Sequence, residues 1–231
     1  RCVHYYMGPH GSVSRRPANE LDTATTCRIL DEITDAGCLN LLLTGGEPLI
    51  KPDFDAIYRH AKSNGLIVTV FTNATILPAS TVKLFKELPP RHVEVTLYGA
   101  HADTYERITG VKNSYARCIA GIERMLDAGV RVKLKTVLMT INRHEFEDMK
   151  HLADSFGVPF RFDPAVFPRF NGDTSPIQLR ISPEEAWTLE ASDENKFEQT
   201  RNYFERMKDF PYSDRLYQCG AGLNYFHIDP R

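Results

Sequence analysis

LNLLLTGGEPLIKPDFDAIYRHAKSNGLIVTVFT, residues 39–72, contains one complete cycle of the chain's architecture. "LNLLLT" is too short and too apolar for anything but a buried strand, and "DFDAIYRHAKSNG" has helical spacing of apolar residues and stops at Gly65. "LIVTVFT" is then a second strand rich in β-branched and aromatic residues. Between the first strand and the helix lies "TGGEPLIKP". Two adjacent glycines directly after a strand let a ligand approach the backbone and expose peptide N–H groups, while Pro48 fixes the chain behind the Glu47 carboxylate. Read locally, the same loop is also a tight turn whose glutamate caps the next helix.

The cycle recurs along the chain. "TATTCRILDEITDAG" precedes it, with Ile29, Leu30 and Ile33 on one face and a stop at Gly37. After it "TVKLFKEL" leads into "HVEVTLY", "NSYARCIAGIERMLDAG" into "VRVKLKTVLM", and "EFEDMKHLADSFG" into "PFRFDP". Helices alternating with strands over short links imply right-handed crossovers and a parallel sheet. Five strands are visible, with "RCVHYY" placed just beyond the end of a sixth upstream of Arg1. The pattern fits most of a TIM-like barrel or an open doubly wound sheet, and in both the chemistry sits where strands end and loops begin.

Composition narrows the function classes. The chain has 231 residues, 28 basic and 30 acidic side chains and a formal charge of -2, so no basic excess points to nucleic acid. No apolar run approaches the roughly 18 residues of a membrane span, and the opening lacks a signal-peptide core. Cys2, Cys27, Cys38, Cys118 and Cys219 are odd in number and scattered, which argues against a disulfide framework and for a cytoplasmic setting. Cys27, Cys38 and Cys118 read as core thiols. The opening without Met reads as a piece cut from a longer chain.

Thr44, Gly45, Gly46, Glu47 and Pro48 after a strand, with a cysteine segment before the first helix, resemble the radical SAM superfamily. In that family the glycine-glutamate loop holds the amino group of S-adenosylmethionine. "FTNATIL" resembles the family's next strand signature, placing Asn73 at the cofactor and Ala74 where glycine is usual. In "VEVTLYGAHADTYERITG", Thr96 takes the place of a hydroxyl that meets the ribose and Arg107 that of an arginine that meets the carboxylate; both roles suit their chemistry. Lys135, Thr136 and Asn142 point more weakly to the same end. The fold implied is α/β, a partial (βα)6 TIM-like barrel of the radical SAM type, over residues 1–180.

The family binds a [4Fe-4S] cluster through three cysteines. The match puts Cys2 at the middle one, His4 before the third with its backbone toward the adenine, Tyr5 at the third itself, and Tyr6 at the aromatic that follows. Tyr5 is either a natural tyrosine or a change or degenerate copy, since the two codons differ by one base; a phenol with a pKa near 10 is a poor match for a thiolate site. "YQCGAGLNYFHIDPR" resembles the opening of a SPASM or twitch extension, making Cys219 a ligand of an auxiliary iron-sulfur cluster. That extension, with two helices starting at Ser182, Pro183 and Glu185 and at residue 195, occupies residues 181–231. Arg161, Asp163 and Arg169 lie in or beside a loop over the open mouth.

The resemblance implies reductive cleavage of S-adenosylmethionine to a 5'-deoxyadenosyl radical, with an electron donor such as flavodoxin or ferredoxin. It implies action on a peptide or protein side chain, or on a small precursor such as a tetrapyrrole. No nucleic acid or membrane partner is expected, and no acid-base pair announces itself as catalytic. The alternative is a catalytically silent relative that uses the same mouth for binding.

Overall fold

The computed structural model describes residues 2–5, 20–208 and 225–228. The chain divides into two compact units, residues 1–180 and 181–231. In the first, α1 (Thr23–Asp35) begins at Asp22, whose side chain accepts from Thr25 N at 2.7 Å. There follow β1 (Asn40–Leu43), α2 (Phe54–Ser63), β2 (Ile67–Thr72), α3 (Ala79–Glu87) and β3 (His92–Thr96). Then come α4 (Ala102–Thr109), α5 (Ser114–Asp127), β4 (Val132–Val137), α6 (Phe146–Ser155) and β5 (Phe160–Asp163). The second unit contains α7 (Pro183–Ala191), capped by Ser182 through Glu185 N at 3.1 Å, and α8 (Glu194–Met207). Among the described residues no helix is long and apolar enough to cross a membrane.

All five strands are parallel and lie in the order β1-β2-β3-β4-β5. This order decides between the two architectures open to sequence reasoning. A doubly wound sheet reverses its strand order at a switch point, whereas a barrel adds each strand beside the last. The winding here is of the barrel kind.

Alternation along the strands separates two faces. Val68, Val70, Val93, Val95 and Leu134 are fully buried beneath the helices. Leu84, Phe85, Ile108, Ile122 and Met125 of the helices are likewise buried, and Tyr58 on α2 packs on Phe85 with centroids 5.2 Å apart and donates to Leu88 O at 2.8 Å. The opposite face carries Leu42, Phe71, Glu94, Thr96, Lys135 and Arg161, and it is polar toward the middle of the sheet.

One close approach fixes how α5 lies on the sheet. A Cβ added to Gly121 would sit 2.2 Å from the Ala74 carbonyl oxygen, so only glycine admits this spacing. Ala74 itself takes φ +55°, a left-handed conformation that accounts for the glycine usual at this place in the family resemblance.

Candidate functional site at the carboxyl end of the sheet

The loop after β1 is built around Glu47. Gly45 adopts φ +140° with open space beside its Cα, and Glu47 then caps the short 3-10 turn Pro48–Ile50 by accepting from Leu49 N at 3.1 Å. The same carboxylate accepts from Thr72 Oγ1 at 2.6 Å and Asn73 N at 2.7 Å, which ties the loop to the end of β2. Burial raises the Glu47 pKa, opposed by the bonds from Asn73, Thr72 and Leu49. Both readings of the loop therefore meet in one residue: a local cap that also stands at a strand end. Asn73 Oδ1 accepts from Thr75 N at 2.9 Å and holds its own turn.

Thr96 ends β3 and pairs in register with Lys135 on β4. Arg107 reaches from α4 to the loop after β4 and donates to Ile141 O at 2.8 Å. The segment 2–5 joins the same end. Val3 N donates to Ile108 O at 3.0 Å, the His4 ring lies 5.2 Å from that of Tyr98, and the Tyr5 hydroxyl lies 3.4 Å from where a Gly46 Cβ would stand. Cys2 hydrogen-bonds Tyr98, and burial raises its pKa. Burial likewise pushes His4 down to about 4, and its buried Nδ1 has no hydrogen-bond partner among the described residues. Gly45, Gly46, Glu47, Pro48, Asn73, Thr96, Arg107, Lys135, Cys2 and His4 thus all belong to elements meeting at the carboxyl end. Tyr6 and Cys219 lie outside the described residues.

Three sequence readings change. Asn142 does not face the mouth: it is fully buried, accepting from Met139 N at 2.7 Å and donating to Tyr98 O at 3.0 Å, so it pins the end of β4 to the end of β3. Thr136 is buried on the helix side of β4, one residue out of phase with Lys135. Cys27 and Cys38 are only partly buried, whereas Cys118 is a core thiol pushed up to about 12 by burial.

A charged cluster on the inner face escaped sequence reasoning. Glu94, almost fully buried, accepts from Lys135 Nζ at 3.3 Å and from Arg161, and Lys135 Nζ also sits 3.4 Å above the Phe71 ring. Burial lowers the Lys135 pKa, against the opposing charge of Glu94. Beside Glu94 and Phe71 a shallow hollow of about 290 Å³ opens between Asn40, Leu42, Thr69 and His92. The available signal was Glu94 in "HVEVT", at an inward position of a strand with apolar residues on its other face.

Residues 2–154 match the Radical SAM superfamily, two thirds of the chain and all the elements that form the site. The chain belongs to the radical SAM superfamily. Among curated relatives, AdoMet-dependent heme synthase of Methanosarcina barkeri is 30% identical over 202 residues, covering 85% of this chain and 56% of the relative. PqqA peptide cyclase of Ruegeria pomeroyi is 32% identical over 171 residues, covering 74% and 45%. The chain therefore spans about half the length of the curated relatives it matches. Streptococcus suis SuiB, solved bound to S-adenosylmethionine and also to its precursor peptide SuiA, shares the fold. The S-adenosylmethionine complex aligns with a TM-score of 0.64 at 16% identity, over 90% of this chain and 42% of that one.

The radical SAM family uses S-adenosylmethionine with a [4Fe-4S] cluster. Cys2 suits a thiolate site, but Tyr5 stands where the resemblance expects the third cysteine, and a phenol there does not fit such a site. Among the described residues no group of three or more His, Cys, Asp or Glu side chains is arranged to hold a metal ion.

Proposed function

We propose that the protein containing this chain is a radical SAM enzyme that binds S-adenosylmethionine at the carboxyl end of the sheet and modifies a peptide or protein side chain. The observation that carries the reading is the meeting, at that one end, of the Gly45-Gly46-Glu47 loop, the ends of β2 and β3, Arg107 and the Cys2 segment. Gly46 and Glu47 take the cofactor's amino group, Thr96 its ribose hydroxyls, Arg107 its carboxylate, and the His4 backbone its adenine. Asn73 and Lys135 border the same space, and Pro48 holds the Glu47 backbone. A hydroxyl both donates and accepts, and a guanidinium fork matches a carboxylate, so each pairing is chemically apt.

The peptide class is supported by the relatives' names, a PqqA peptide cyclase and a SuiB solved with a precursor peptide. A tetrapyrrole-like precursor is the second substrate reading, favoured by the heme synthase match over 85% of the chain. Residues 181–231 are assigned to the start of a SPASM or twitch extension, with Cys219 toward an auxiliary cluster. A cytoplasmic enzyme of this kind takes its electron from a donor such as flavodoxin or ferredoxin.

Tyr5 favours one alternative, binding of S-adenosylmethionine without its cleavage. The deciding experiment incubates the intact protein anaerobically with S-adenosylmethionine and dithionite, as purified and as Tyr5→Cys, and measures 5'-deoxyadenosine. Product from the Tyr5→Cys protein is the expected result. Its absence from both proteins, with S-adenosylmethionine binding retained, establishes the silent alternative.

A further inference from the structure

The loop that follows β5 contains a cation whose placement the family resemblance does not explain. Arg169 is 164 and 166 residues away in sequence from the two carbonyls it reaches: its Nε donates to Tyr5 O at 3.3 Å and its Nη2 to Val3 O at 3.2 Å. Its Nη1 donates to Asp173 and to Ser175 Oγ at 3.2 Å. The side chain is only 9% exposed, so this is not a solvated surface arginine. Burying a guanidinium is unfavourable unless its donors are met, and here every one of its three nitrogens has a partner.

The loop carrying Arg169 is itself braced. Asp163 Oδ1 accepts from Ala165 N at 2.9 Å, Arg180 donates to Val166 O at 2.7 Å, and Arg169 N donates to Asp173 O at 2.9 Å. Val166 is buried beneath the loop. The guanidinium therefore projects from a fixed platform rather than from a free strand end. Against it lies the Cys2 segment, whose holds include Val3 N on Ile108 O, the turn closed by Tyr5 N on Cys2 O at 3.0 Å, and the Tyr98 hydroxyl against Cys2 and His4.

We infer that Arg169 is the positioning residue of the Cys2 segment: its planar fork clamps the carbonyls of Val3 and Tyr5 and so fixes where the Cys2 thiol is presented. A point charge does not reproduce this geometry. Two carbonyls two residues apart accept from separate nitrogens of one rigid plane, which an ammonium on a flexible stem does not supply. The inference concerns the free chain and stands independently of whether S-adenosylmethionine binds.

The test reads the Cys2 thiol directly. The intact protein, treated with N-ethylmaleimide at pH 7.5, is digested and the labelling rate of each cysteine followed by mass spectrometry, for wild type, Arg169→Ala and Arg169→Lys. Loss of two hydrogen bonds from a charged donor is expected to raise the Cys2 rate at least about tenfold in Arg169→Ala through local opening of the segment. Cys27 and Cys38 keep their rates and Cys118 stays protected. In Arg169→Lys, which keeps a cation for Asp173, Cys2 is expected to label nearly as fast as in Arg169→Ala. A wild-type Cys2 rate in Arg169→Lys overturns the clamp in favour of a simple ion pair with Asp173. An unchanged Cys2 rate in Arg169→Ala also overturns it, as does Cys118 labelling in step with Cys2 in both variants, which reports unfolding of the whole layer.

Discussion

Replacing Glu47 separates the structural part of its role from the cofactor-binding part. Its carboxylate accepts three bonds, from Thr72 Oγ1, Asn73 N and Leu49 N, at 2.6, 2.7 and 3.1 Å. Alanine leaves all three donors without this acceptor; at about 1 kcal/mol net for each bond, Glu47→Ala is expected to cost about 3 kcal/mol. Glutamine keeps a carbonyl oxygen in place, loses about one bond, and relieves the burial of charge that raises the Glu47 pKa. Those effects oppose one another, so Glu47→Gln is expected to stay within about 1 kcal/mol of wild type. The sign with pH follows. A carboxyl whose pKa is raised on folding contributes stability that is fully present below its ordinary value of 4.5 and is lost as pH rises through the raised value. Wild type should therefore gain on Glu47→Gln as pH falls from 7 toward 4. Cofactor affinity responds differently, because losing a charge-assisted bond to an ammonium costs about 1.5–3 kcal/mol, or about 10- to 150-fold in Kd. Urea unfolding at pH 7 and 4, with calorimetry of S-adenosylmethionine binding at pH 7, measures both. Equal destabilisation by Gln and Ala at pH 7 would refute the hydrogen-bond account of the loop.

Gly121→Ala forces a Cβ to 2.2 Å from the Ala74 carbonyl oxygen, so α5 must shift; a loss of about 3 kcal/mol and a lowering of Tm by roughly 6–12 °C are expected in a thermal melt. Cys118, held protonated to about 12 by burial, contributes stability below the ordinary thiol value of 9.0 that is lost as pH rises through 12. Between pH 8 and 10.5, wild type should lose about 2 kcal/mol more than Cys118→Ala in urea unfolding, and equal losses would contradict the assignment. Anaerobic reconstitution of the intact protein with iron and sulfide should yield no stable cluster, whereas its Tyr5→Cys variant should hold one. Iron analysis giving about four irons for wild type would make the phenolate a true ligand.

The repeating unit was legible because every part of it is local. Glycines at 37, 65, 129 and 157 stop helices, and short strand-forming runs follow them. Strand order was not, since nothing within one βα unit says which side of the last strand the next will join; the order β1 to β5 emerges only from the pairing. The loop at Gly45 and Glu47 was readable for the same local reason as the repeat. Glu94 and its joining with Lys135 and Arg161 were not, because the three sit on three strands and become neighbours only through the sheet. Asn142 was misplaced because an asparagine after a strand reads as a loop residue, while here its amide is spent on buried backbone. Arg169 was assigned to the right loop, but its burial depends on partners more than 160 residues away.

We propose the carboxyl end of this sheet as a site for S-adenosylmethionine. Isothermal titration of the intact protein with S-adenosylmethionine, repeated on Thr96→Ala and Arg107→Ala, tests it most directly. The account predicts one site, weakened by about 1 kcal/mol without the Thr96 hydroxyl and by about 1.5–3 kcal/mol without the Arg107 guanidinium. Absence of binding, or binding that neither substitution changes, contradicts it.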